Sequence, residues 1–335
     1  MKFTRSKKLV FLNNKWGVGK TTIAYNTAVK FAEQWYKTVL VDLDTQCNLS
    51  KLALWETFEQ SLFSSEETNI FWVLKWIIEW GADINLQIKP IQIWENLSLL
   101  PGSLKLSRYE NLLITAYNQA AAGEQIWYFQ TSAISRYLTK LWLEDEIDLF
   151  IIDCSPNLGL LNRIILLWSD CFVVPLMPDA FSLQGVENLW ITLEERKRNW
   201  KNTWKALAST IPNEQVLNWE GIFIGYIINS YNQYAQRPIK SHSERIEKIP
   251  QAVKKYISER HSKNWLVEKS WKEPLVHIKD YWELSADSHR VNKAIFDLIP
   301  WQDFQRVEGT MENWELSKEQ FSQLYEKIRE ILELW

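Results

Sequence analysis

The feature that most restricts the fold of this chain is a short apolar run, Leu9 to Leu12, that leads into Lys15-Trp16-Gly17-Val18-Gly19-Lys20-Thr21-Thr22 and then into a helical pattern. From Thr21 to Gln34, Ile23, Ala24, Thr27, Ala28, Phe31 and Ala32 recur at helical spacing. Strand, glycine loop and helix in that order make a phosphate loop, where backbone N–H groups and the positive end of the helix dipole meet an anion. Lys20 supplies charge for β and γ phosphates, and the Thr21 hydroxyl is suited to magnesium. A bare Gly-Lys-Thr is common; its position between strand and helix is what makes it informative.

Four further apolar runs read as strands: TVLVDL (Thr38 to Leu43), DLFIID (Asp148 to Asp153), CFVVP (Cys171 to Pro175) and IFIGYIIN (Ile222 to Asn229). Their continuous apolar character, with helical stretches between, predicts an α/β fold: a mostly parallel, doubly wound sheet with helices on both faces. Strand C-termini of such a sheet gather on one edge, so Asp42, Asp44 and Asp153 are expected beside the phosphate loop. A strand-terminal Asp often only caps the next turn, but three at matching ends favour a shared magnesium nucleotide. Residues 51–145 are mainly helical in pattern, with a short extended piece around Leu97 to Pro101, and are expected to be a helical insertion. Residues 230–335 form a helical, partly basic C-terminal region. With no low-complexity linker, 1–335 is read as a single domain.

The chain's 335 residues are 46% apolar and 24% charged, ordinary for a folded protein and far from the disordered class. A net charge of -3 excludes a wholly basic nucleic-acid binder while leaving room for a local patch. Cys47, Cys154 and Cys171 lie far apart without metal-ligand spacing, and are read as free thiols in a reducing compartment. No run has the roughly 20 apolar residues a membrane span needs, and the basic start lacks a signal-peptide core, so the expected location is the cytoplasm, with nucleoid association possible.

KWGVGKTT resembles the deviant Walker A pattern KGGVGKTT of the ParA/MinD family, and VDLDTQCNLS resembles its VDLDPQxNLS segment. DLFIIDCSPNLGLLN is similar to the family's Walker B strand and switch. With ENLSLLPGSLKLS, FVVPLMPDAFSLQGVENL and GYIIN, the likeness runs over about the whole chain. The resemblance implies a P-loop ATPase with ATP and Mg2+ as cofactors and weak, partner-stimulated hydrolysis. In its terms Lys15 is the signature lysine that reaches across a homodimer to the partner's phosphates, and it acts with Lys20 and Asp44 in catalysis. Asp44 orients the attacking water, Asp42 and Asp153 hold magnesium through waters alongside Thr21, and Asn229 lies near the adenine. Non-specific DNA and a ParB-like or other stimulating protein are the implied partners. Thr45 stands where the family has Pro, and Asn14 where the general Walker A pattern has its first Gly.

Twenty tryptophans against 10 glycines is abnormal; roughly 23 glycines are expected in this length. Trp16 stands at a loop glycine, where a large ring is expected to obstruct the site or strain it. Trp35 follows the first helix where a left-handed glycine is favoured. Trp80, Trp94, Trp127, Trp168 and Trp190 also stand at glycine-like places. One base separates the glycine codon GGA from UGA, which different codes read as stop, Trp or Gly. Our hypothesis is that UGA codons meaning glycine stand here as tryptophan. The competing reading is a Trp-rich protein that uses aromatic rings for binding.

Arg237 to Lys272 holds ten Lys or Arg and four Glu, a candidate phosphate-backbone surface or a solvated helix face. Arg196, Lys197, Arg198, Lys201 and Lys205 are a weaker second candidate. The last helix, Gln320 to Leu334, is amphipathic with a mixed polar face, which favours core packing over the membrane targeting of MinD, and no stable membrane insertion is expected. The function these features favour is an ATP-dependent partitioning or positioning switch. A metabolic ligase or synthetase of the same superfamily and a nucleotide-dead binding module are the alternatives.

Overall fold

A computed structural model of the protein describes residues 3, 5–54, 68–120, 126–157, 159–179, 221–229, 233–234, 237–238, 246–262, 266–305 and 309–334, with single positions at 187, 191, 194 and 198. Eight strands form one sheet: β1 (Lys7–Phe11), β2 (Thr38–Leu43), β3 (Ile91–Trp94), β4 (Leu97–Leu100), β5 (Leu149–Cys154), β6 (Cys171–Leu176), β7 (Ile222–Ile228) and β8 (Val276–His277). Their order is β8-β7-β6-β1-β5-β2-β4-β3. All ladders are parallel except the edge pair β3 and β4. The winding reverses around β1, which lies between β5 and β6, and such a switch point opens a crevice at the strand C-termini.

Alternation along each strand feeds two cores. Val10 joins the apolar cluster on one face and Leu9 and Phe11 the other, and all three are fully buried. One face carries α1 (Lys20–Glu33) and the terminal helix; the other carries α2 (Ile70–Trp80), α3 (Leu106–Ala120), α4 (Ile126–Thr131), α5 (Ala133–Asp145) and α6 (Leu160–Trp168). The run 249–261 (α7), α8 (Val267–Lys272), α9 (Trp282–Val291) and α10 (Thr310–Glu333) follow. The α/β, doubly wound expectation therefore holds. The extended piece near Leu97 is β4, paired with β2 from Thr38↔Leu97 to Val41↔Leu100, so the 51–145 segment adds two strands to the main sheet as well as helices.

In α10, Phe321, Leu324, Tyr325, Ile328, Ile331 and Leu332 are buried, and the Tyr325 ring meets Phe31 of α1 edge-on at 4.8 Å. The amphipathic face is thus spent on the core. Among the described residues no helix is long and apolar enough to cross a membrane.

The tryptophans divide by geometry. Trp35 has φ 64, left-handed as expected of a glycine site, and the amide of Tyr36 closes the helix end on Phe31 O at 3.1 Å. Trp301, not singled out from sequence, shares this conformation at φ 71. At Trp80 the left-handed role falls to the next residue, Gly81, at φ 63. Trp94 sits beside a bulge in the β3–β4 pair. Trp127 and Trp168 are buried core residues, 1% and 4% exposed, where a glycine would leave a void. Trp190 lies outside the described residues.

Candidate functional site

Gly17 and Gly19 take the loop's left-handed turns, φ 72 and φ 81, and Gly19 is the N-cap of α1. Trp16 does not have a positive φ, and its ring is 61% exposed rather than packed within the loop. The strain expected of a tryptophan here is therefore absent, because its two glycine neighbours make the turns. Lys20 is buried and its ammonium points across the loop to Lys15 O at 3.3 Å. Burial lowers its pKa, against the opposing pull of Cys154, Asp153 and Asp44. Thr22 opens α1 behind it, accepting from Asn26 Nδ2 on its carbonyl.

The acidic strand ends meet this loop. Asp42 and Asp153 are register partners in the β2–β5 ladder, and Phe11 at the end of β1 is paired with Asp153. The Thr21 hydroxyl donates to Asp153 Oδ2 at 2.7 Å. Burial, then the charge of Asp42, pushes Asp153 up to about 7. Asp42 is fully buried; its Oδ2 accepts from Ser50 N (2.8 Å) and Ser50 Oγ (2.6 Å), and its Oδ1 from Asp44 N (3.1 Å). Burial raises it to about 6, with the Ser50 bonds opposing. Asp44 Oδ1 accepts from Gln46 N and from Ser155 Oγ, so it joins the loop after β2 to the loop after β5. This turn closes on Cys47 N without the family's proline, Thr45 taking that place.

Magnesium fits this donor set on one observation: Asp153 Oδ1 is buried with no hydrogen-bond partner among the described residues, beside the Thr21 hydroxyl. Such an oxygen is costly to leave unsatisfied, and a cation or its bound water would satisfy it. Asp42, both of whose oxygens are engaged by Ser50 and Asp44, is tied into the loop after β2.

Several contacts escape sequence reasoning. Lys15 is ion-paired with Asp179, beyond the end of β6. Asn229 donates to Val18 O at 2.9 Å. Glu110 of α3 lies close to Gly159 in the loop after β5, where burial, then the charge of Asp44, raises its pKa. The motif strings hold Lys15, Asp179 and Asn229 but not Glu110, and nothing in their spacing announces the contacts. Of the basic segment, Lys248, Lys255, Lys269 and Lys272 are exposed; 239–245 and 263–265 lie outside the described residues. Of the second basic group only Arg198 is described, and it is exposed.

A phosphate loop after the central strand of a doubly wound sheet, faced by acidic ends of β2 and β5, defines a P-loop nucleotide-binding protein. The family described as AAA domain matches residues 6–206, more than half of the chain, and the chain belongs to that family; the relatives it is similar to include Soj and ParA partitioning proteins, of whose length it covers about 56–64%. An uncharacterized protein of Methanocaldococcus jannaschii is 32% identical over 71% of this chain and 77% of its own length. The chromosome-partitioning ATPase Soj of Treponema pallidum is 30% identical over 56% of this chain and 64% of its own. Among solved structures, protein DIP2308 from Corynebacterium diphtheriae has a TM-score of 0.70 at 23% identity, covering 85% of this chain and 97% of its own. The ATP complex of a Cyanothece McdA variant has a TM-score of 0.64 at 14% identity, covering 97% of this chain and 96% of its own.

Proposed function

We propose that this protein is an ATP-dependent partitioning or positioning switch: ATP closes a homodimer, the closed form engages DNA without reading sequence, and slow hydrolysis releases it. The observation that carries the reading is the meeting of Lys15, Lys20, the Thr21–Asp153 contact and the Asp44–Ser155 contact on one sheet edge. Lys20 and the loop N–H groups hold the β and γ phosphates. Thr21 and Asp153 would hold magnesium, with Asp42 acting on it through water or through the loop, and the ion would supply positive charge against the phosphates.

Asp44, fixed at the junction of two loops, accepts a hydrogen bond from the attacking water and orients it. A residue joining both loops also feels whether the γ phosphate is present, which gives the two states different contacts. Lys15 leaves its own chain's Asp179 to reach the partner's phosphates, and so couples nucleotide to dimerisation. Asn229 stands beside the nucleotide, and the exposed lysines 248, 255, 269 and 272 meet the phosphate backbone. A ParB-like protein is the expected stimulator.

The test is ATP hydrolysis measured with and without duplex DNA, together with sedimentation in ATP and in ADP. DNA-stimulated turnover and an ATP-specific dimer support the switch. Turnover that follows a small acid or amine instead would make the chain a synthetase, and no ATP binding would make it a nucleotide-dead module.

A further inference from the structure

The end of β7 is held from both sides. Asn229 N donates to Leu176 O at the end of β6 (2.7 Å), and Ile278 N, just past β8, donates to Ile228 O (2.8 Å). Beyond β8, Lys279 N and Tyr281 OH both donate to Gln320 Oε1 of α10, at 3.0 and 2.6 Å. From this fixed point the Asn229 side chain runs back to the phosphate loop. Its Nδ2 donates to Val18 O at 2.9 Å across 211 residues of sequence. It also fills the space a side chain at Gly19 would need, since a Cβ there would collide with Nδ2.

We infer that Asn229 is a positioning residue for the phosphate loop, acting through the Val18–Gly19 peptide and not through the nucleotide base. The peptide is trans and planar, so fixing the Val18 carbonyl toward Asn229 turns the Gly19 N–H the opposite way. That N–H is among the donors a phosphate loop offers, and Gly19 is left-handed with no side-chain cap to steady it. A donor held before ligand arrives costs less ordering on binding, which is the gain from preorganisation. The inference rests on the reading of this loop as a phosphate site.

Two measurements test it, on wild type, Asn229→Ala and the isosteric Asn229→Asp, which keeps the space filled but cannot donate to a carbonyl. The first is hydrogen exchange of the nucleotide-free proteins, read on peptides covering 12–23. Both variants should exchange faster there while peptides of β5 are unchanged; an unaltered loop in both overturns the inference, because a base contact has no effect without a base. The second is binding of MgATP, MgGTP and inorganic tripolyphosphate, the last by competition. A brace predicts that Asn229→Ala weakens all three by the same factor, about three- to tenfold for one hydrogen bond. Loss confined to ATP, with tripolyphosphate unaffected, overturns it in favour of base recognition. Wild type that binds none of the three while the exchange result stands rejects the phosphate-site reading and leaves the brace in place.

Discussion

Lys15 is tied to Asp179 in its own chain, so the lysine proposed to cross a dimer interface starts from an intrachain ion pair. Both side chains keep about a quarter of their surface, 26% and 27%, so the pair is screened and restrains by only about 0.5–1 kcal/mol. Asp179→Asn is therefore expected to shift ATP-dependent dimerisation to protein concentrations about two- to fivefold lower by sedimentation. Lys15→Ala is expected to abolish the ATP dependence. If Asp179→Asn instead behaves like Lys15→Ala, Asp179 supports the lysine rather than holding it back.

The Thr21–Asp153 contact makes a prediction about metal. Asp153→Asn keeps the size of the side chain but removes the charge, so the tightening of ATP binding by magnesium should largely vanish. Hydrolysis should fall by at least about a hundredfold. Thr21→Ser should retain most of both, since the hydroxyl remains. Calorimetry with ATP in magnesium and in chelator reads the first effect directly. Equal magnesium dependence in wild type and Asp153→Asn would remove Asp153 from the cation site.

Much of this site can be read in the chain. The strand, loop and helix around Lys20 are local, and buried parallel strands such as TVLVDL and LFIID are apolar on both faces, which alternation cannot disguise. The edge pair β3 and β4 is harder to read, because four-residue strands carry little pattern. The contacts that shape the site are long-range: Lys15 to Asp179, Asn229 to Val18, Ser155 to Asp44. Each depends on which strand ends the winding brings together, and a single sequence holds no periodic signal for that.

A second carboxylate lies far from the loop. Asp297 is pushed up to about 7, first by burial and then by the neighbouring Glu33 carboxylate, while Lys30 and Lys318 oppose. Its folded pKa thus exceeds the unfolded value of about 4. The folded form binds this proton more tightly, so the group's contribution is full below about pH 4 and is lost as pH rises through about 7. Asp297→Asn should stabilise the protein against urea by about 1–2 kcal/mol at pH 8, with a much smaller gain at pH 4.5. Equal gains at both pH values would mean that ionisation is not the cause.

The tryptophans give the sharpest contrast. A left-handed conformation costs a side-chain-bearing residue roughly 1–2 kcal/mol, and Trp35 and Trp301 both carry it, with rings 64% and 73% exposed. Trp35→Gly and Trp301→Gly are expected to raise stability by about 1 kcal/mol each, whereas Trp127→Gly, which empties a core position, should cost about 3–5 kcal/mol. Peptide mass spectrometry of natively produced protein decides whether the cell has already made the first changes. Glycine mass at positions 16 and 35 would establish UGA recoding, and would require the core around Trp127 and Trp168 to close on smaller residues if those codons are also UGA. Tryptophan mass at both would leave Trp35 as a strained residue of the native fold. The abundance of tryptophan would then need a binding role, for which Trp16, exposed beside the phosphate loop, is the first position to mutate.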